Sequence, residues 1–176
     1  MATKSNHKED IKSASAVFKT SLGDFIVELF VDKAPESAWN FINLAEGRQE
    51  TEKEGPFYNG VLFHRVIDGF MIQAGCPEGT GMGGPGYEFA NETHPELDYS
   101  AEGTLAMANR GRDTNGSQFF ITLVPQVQLS PADYTVFGKV TQGMDVVKKI
   151  GAVKVDPRYN HRPFDDVVIQ SVEIVR

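Results

Sequence analysis

Glycine and proline punctuation constrains this chain more than any other feature. Its 176 residues include 17 glycines and nine prolines, which cut it into short β-rich runs. Strand candidates lie at Ala16 to Thr20, Asp24 to Phe30, Val61 to Ile67, Phe70 to Ala74, Thr104 to Ala108, Phe119 to Val124, Thr135 to Val140 and Val167 to Val175. In DFIVELF the residues Phe25, Val27 and Leu29 share one face, as two-residue alternation requires of a half-buried strand. Ser21-Leu22-Gly23 separates the first two runs at hairpin spacing. Many short strands joined by Gly-rich connections predict a mainly β fold, an antiparallel barrel or sandwich.

Two segments change to helical period. In DKAPESAWNFINLAEG, Pro35 suits a first turn, Glu36 suits the positive end of a helix, and Gly47 follows the last periodic residue. Ala38, Phe41, Ile42 and Ala45 then form one apolar face able to cover a sheet. A second short helix is predicted at Met144 to Ile150. Residues 1 to 15 hold five charged side chains and one large aliphatic, Ile11. They bury too little to repay ordering and are expected to be a disordered tail before a domain over 16–176. Gly75 to Tyr99 is long and strand-poor, and long loops in small domains are often functional.

A chain of this length, roughly one domain's worth, can build a core without disulfides or metals. Its 40% hydrophobic content agrees. Seventeen basic against 24 acidic residues, a net charge of −7, disfavour a polyanion binder, so no nucleic acid is expected as partner. The single cysteine, Cys76, cannot form an intrachain disulfide. The first residues lack the apolar stretch of a secretory signal, and no window approaches 18 apolar residues. The expectation is a cytoplasmic protein with no membrane association.

Most motif matches have simpler readings. GTGMGG, Gly79 to Gly84, formally fits G-x-G-x-x-G, but Pro85-Gly86 follows where a dinucleotide site needs a helix. A backbone-shaping glycine loop is the better reading. Asn91-Glu92-Thr93 and Asn115-Gly116-Ser117 fit glycosylation triplets that mean nothing without secretion. His7, His64, His94 and His161 are scattered, so neither a metal nor a cofactor is expected. Ser117 lies outside any nucleophile elbow, and Gly75-Cys76-Pro77 reads as a turn. Two segments resist a bland reading. FHRVIDGFMIQAG places Arg65 in a strand, where alternation can turn it away from its apolar neighbours, and LAMANRGRDTNGSQFFIT combines Asn109, Asn115 and Gln118 with Phe119 and Phe120.

These two segments resemble the cyclophilin family of peptidyl-prolyl cis-trans isomerases, as do TSLGDFIVELF, APESAWNF, GTGMGGPGYEF and VFGKVTQGMDVV, all in order over about residues 16 to 175. The resemblance implies a closed eight-stranded antiparallel β-barrel capped by two α-helices. It places the family's catalytic arginine on Arg65 and its proline pocket on Phe70, Met71, Phe120 and Leu129. Gln73, Ala108, Asn109 and Gln118 match polar and backbone contacts to substrate, and Tyr134 stands where many members have histidine. Catalytic roles are expected for Arg65, Gln73 and Asn109. The implied partners are proline-containing peptides and unfolded proteins, met by a monomer.

Departures carry further expectations. Many cyclophilins have a tryptophan at the position of Gln128, which donates a hydrogen bond to cyclosporin, so cyclosporin should bind weakly while isomerase activity is retained. Cys76 stands where the family often has aspartate. Arg110 and Arg112 occupy positions uncharged in many relatives, which predicts a basic rim and a modest, salt-sensitive preference for acidic residues flanking proline. The alternative to an enzyme is a non-catalytic module or chaperone that holds proline-containing segments. Nucleotide binding through GTGMGG is not expected.

Overall fold

A computed structural model describes residues 2–176. Strands β1 (Ala14–Thr20) and β2 (Gly23–Leu29) form the predicted hairpin, in register from Ala14 opposite Leu29 to Thr20 opposite Gly23. Alternation buries Ala16 and Phe18 on one strand and Phe25, Val27 and Leu29 on the other. Phe18 stacks on Phe25 across the pair with ring centroids 4.6 Å apart. This offset stacking adds to area burial at the centre of the core.

Helix α1 (Pro35–Ala45) starts at its proline and carries Glu36 in the first turn. The predicted face of Ala38, Phe41, Ile42 and Ala45 is buried, but so are Trp39, Asn40, Asn43 and Leu44. Periodicity missed this because loops cover the second face: Asn40 donates to the Gly116 carbonyl at 2.8 Å and Asn43 to that of His7 at 3.1 Å. Phe41 meets Tyr58 at 4.8 Å and Phe119 at 5.6 Å, joining helix to sheet in one aromatic cluster.

The remaining elements are β3 (Val61–Leu62), β4 (Arg65–Ile67), β5 (Met71–Ala74), β6 (Thr104–Met107), β7 (Phe119–Thr122), β8 (Val136–Gln142), α2 (Met144–Gly151), β9 (Val155–Asp156), β10 (Arg162–Pro163) and β11 (Val168–Val175). One curled antiparallel sheet of nine strands runs β3-β11-β1-β2-β8-β6-β7-β5-β4, and β9 pairs with β10 separately. Helix α1 packs on β8 and β11, and α2 on β2, β4 and β5. The single run expected over Val61 to Ile67 is divided. Phe63 donates instead to Val167 O and Val66 to His161 O, so the ladder is interrupted at Phe63 and His64. β9 and β10 went unpredicted because a two-residue ladder is too short to show periodicity. Gly75–Tyr99 has no strand, only a bridge from Phe89 to Asn115.

Residues 2–13 have no helix or strand. They lie along α1 through contacts between Lys4 and Glu36 (2.9 Å), the Ser5 amide and Gln49 (2.6 Å), and the rings of His7 and Trp39. Arg176 reaches Glu9 and Glu46 from the other terminus.

Candidate active site

Strand register builds the site before any side chain is considered. Arg65 on β4 lies opposite Gln73 on β5, Gln73 opposite Phe120 on β7, and Phe120 opposite Ala106 on β6. The adjacent row, Val66, Ile72, Ile121 and Leu105, is wholly buried. Alternation therefore sends one row into the core and turns Arg65, Gln73 and Phe120 to the other face of the sheet. This is the rotation of Arg65 away from its apolar neighbours that the strand pattern predicts.

A cavity of about 150 Å³ opens there, lined by Arg65, Phe70, Met71, Gln73, Ala108, Asn109, Phe120, Leu129 and Tyr134. Every predicted site residue except Gln118 borders it. Gln118 lines the adjoining cavity of about 390 Å³, which shares Gln73, Ala108 and Asn109 with the first and is otherwise walled by Gly81 to Glu88, Arg110 and the Thr114–Ser117 region. A chain bound across both would cross Ala108 and Asn109.

The aromatic wall is held from behind. Phe120 stacks on Tyr99 at 6.2 Å and meets Tyr134 edge-on at 5.9 Å. The Tyr99 hydroxyl donates to Tyr134 O at 2.7 Å, and burial pushes its pKa well up, so it stays protonated as a donor. Asn109 donates from its side chain to Asp133 O at 2.7 Å and accepts from the Gly111 amide at 3.0 Å. That leaves its backbone, not its amide, to face a ligand.

The polar wall is a chain of amides. Arg65 Nη1 donates to Gln73 Oε1 at 3.3 Å, Gln73 Nε2 to Gln118 Oε1 at 3.0 Å, and Gln118 Nε2 to the carbonyls of Gly81 and Gly83, each at 2.9 Å. Arg65 Nε is buried and has no partner among the described residues. The preceding residue, His64, is 6% exposed, and burial, with the charges of Arg162 and Arg65, lowers its pKa to about 4. It is a neutral packing residue.

Comparison with known proteins decides what this arrangement belongs to. Residues 15–174 match the family described as cyclophilin type peptidyl-prolyl cis-trans isomerase/CLD. The chain belongs to the cyclophilin family. It is 47% identical over 173 residues to a probable peptidyl-prolyl cis-trans isomerase A of Mycobacterium leprae, covering 93% of each chain. It is 46% identical over 168 residues to peptidyl-prolyl cis-trans isomerase B of Streptomyces anulatus, covering 90% of this chain and 95% of that one. A Cryptosporidium parvum cyclophilin crystal structure superposes with a TM-score of 0.83 at 35% identity, covering 93% of this chain and 98% of that one. A second structure of that protein was determined in the presence of the dipeptide Ala-Pro.

Within this cyclophilin, several site-forming residues escaped sequence reasoning. Tyr99 behind Phe120 lies at the end of the long loop, and no periodicity ties it to a strand 20 positions away. Gly75, flagged only as part of a turn, sits at φ +99°, and a Cβ there would come within 2.3 Å of Ser117 O. Only glycine allows the end of β5 to cross the chain leading into β7 so closely. The predicted basic rim is narrower than expected. Arg112 is bound to Asp133 at 2.9 Å, whereas Arg110 borders the larger cavity and donates to Met82 O. Among the described residues no cluster of His, Cys, Asp or Glu could hold a metal, and no helix is long and apolar enough to cross a membrane.

Proposed function

We propose that this cyclophilin isomerises Xaa-Pro bonds with Arg65 as the group that stabilises the twisted amide. The observation that carries the reading is a guanidinium held by Gln73 on one side and bordering the same cavity as Phe70, Met71, Phe120 and Leu129. Rotating an amide out of conjugation meets a barrier of about 18–20 kcal/mol, and no covalent bond need break. At the twisted geometry the prolyl nitrogen becomes pyramidal and regains a lone pair. A donor fixed near that nitrogen stabilises this state more than the planar one, which lowers the barrier. Arginine suits the task because it stays cationic and its planar fork can be held at one edge while another N–H remains free.

Phe70, Met71, Phe120, Leu129 and Tyr134 would hold the proline ring by apolar contact. The backbone at Ala108 and Asn109 would hold the flanking chain while the carbonyl turns. Gln118 and the larger cavity would receive neighbouring residues, with unfolded proteins and proline-containing peptides as substrates for a monomer. We also read the sheet as an eight-stranded barrel closed through β3 and β4. These are the two sheet edges and are consecutive in the chain, separated by only Phe63 and His64. On that reading they are halves of one strand.

The test is Arg65→Ala, assayed by NMR exchange between cis and trans forms of an Xaa-Pro peptide. Removing one preorganised donor should lower kcat/KM by roughly 10²–10³. Unchanged exchange would remove Arg65 from the mechanism. Wild-type binding with exchange at the uncatalysed rate would favour the holding module instead.

A further inference from the structure

We propose that Cys76 is a positioning residue for Arg65: its sulfur clamps the Gly81–Gly83 ribbon from one side while Gln118 holds the other, and the clamp sets the polarity of the amide chain that orients the guanidinium. The inference rests on the reading of Arg65 above and adds to it a residue that touches neither substrate nor the guanidinium.

The ribbon has little to anchor it by itself. Gly81 and Gly83 have no side chains, and Met82 between them is 75% exposed. It is tied through its backbone. The amides of Gly81 and Gly83 converge on Cys76 Sγ at 3.3 and 3.2 Å, and the carbonyls of the same two residues accept from Gln118 Nε2. Arg110 adds one tether at Met82 O. Cys76 is a free cysteine held fully buried; its sulfur accepts from the two amides and its S–H donates to Glu78 Oε2 at 3.6 Å. Burial pushes the thiol up, yet the donors from Gly83, Gly81 and Thr80 outweigh it and bring the pKa below the ordinary value.

Direction matters because a carboxamide has a donor end and an acceptor end. With both carbonyls in place, Gln118 must turn its NH₂ toward the ribbon and its Oε1 toward Gln73. Gln73 must then answer with its NH₂, which leaves its Oε1 for Arg65. If the ribbon shifts, Gln118 loses the reason for its orientation and both amides can flip. A flipped Gln73 presents its NH₂ to a guanidinium that has only donors, so Arg65 loses its holder. Cys76 thus reaches Arg65 and the bond it faces through the ribbon, Gln118 and Gln73, each hydrogen-bonded to the next.

The experiment compares Cys76→Val, which keeps the bulk but removes the acceptor, with Cys76→Asp, whose carboxylate can accept both amides. The readouts are NMR exchange kinetics and the side-chain amide resonances of Gln73 and Gln118. The expected result is a five- to tenfold lower kcat with KM within twofold for Val, shifted Gln73 and Gln118 resonances, and recovery of both in Asp. In a Gln73→Ala background the Val substitution should lower kcat no further. Equal kcat in wild type and Val, equal loss in Val and Asp, or full additivity with Gln73→Ala would each overturn the proposal. If Val does not fold, Cys76→Ala against Cys76→Ser carries the same contrast with less bulk. Failure of the Arg65 reading is separate, since it appears as undiminished exchange in Arg65→Ala.

Discussion

Mild acid should destabilise this protein through one residue, His64. Its ring is buried against Gly81, where a Cβ would lie 3.4 Å from the imidazole, and its Nδ1 has no partner among the described residues. Burial first, and then the charges of Arg162 and Arg65, lower its pKa from 6.5 to about 4. The unfolded chain therefore takes up a proton near pH 6.5 that the folded chain refuses until about pH 4. Stability is undiminished well above pH 6.5, falls as pH drops through that value, and levels off below pH 4. At about 1.36 kcal/mol per pKa unit, the loss is roughly 2.5 kcal/mol by pH 4.5 and about 3.4 kcal/mol in the limit. Against a total of about 5–15 kcal/mol this is a large fraction. Glu36, held below its usual range by Lys8 and Lys4, and Glu46, held by Arg176, lose their contributions only as pH falls through the carboxylate range. The interval between pH 6.5 and about 5.5 thus isolates the histidine, whose loss there reaches roughly 1.4 kcal/mol before carboxylates of ordinary value 4.5 contribute. Urea unfolding at half-unit steps should show the decline in wild type and a nearly flat line for His64→Gln. A flat wild-type curve, or an equally steep one in the variant, would refute the reasoning.

Phe120→Ala should lower kcat/KM by about 10- to 100-fold, the worth of one apolar ring contact, mainly through KM as measured in peptide titrations. At low salt, Glu-flanked peptides should be isomerised faster than Lys-flanked ones. Arg110→Ala should abolish that difference while Arg112→Ala, already neutralised by Asp133, leaves it; equal rates in wild type would sink the idea. Cyclosporin should inhibit weakly, because Gln128 is turned to Gln126 and lacks an indole donor; nanomolar inhibition in the exchange assay would contradict this.

Much of the site was legible because it is concentrated in two contiguous segments. Arg65, Phe70, Met71 and Gln73 fall on or between β4 and β5, and Ala108, Asn109, Gln118 and Phe120 beside or on β6 and β7; all lie in the two long motifs that carry the family resemblance, and alternation adds only the turn of Arg65 to its own face. Leu129 and Tyr134 came from alignment with the family, since loop residues carry no period. Tyr99, and the ring of contacts around Gly81 and Gly83, were not legible. Apart from Cys76, five and seven positions from the two glycines, their partners are 20 to 40 positions away, and glycine offers no side chain from which to infer a contact.

Local chemistry sets which residues become strands and helices here: turn glycines, β-branched runs and a proline-led helix act over a few neighbours and can be read in line. It also sets the candidates for the proposed chemistry, because a fixed cation beside apolar side chains is one arrangement that favours a twisted amide. The division of Val61 to Ile67, the burial of both faces of α1 and the pairing of Arg112 with Asp133 follow from long-range hydrogen bonds and ion pairs. So does the clamp from Cys76 to Arg65. Such contacts depend on where distant segments meet, and that is decided by how the sheet curls and sets its rows against one another.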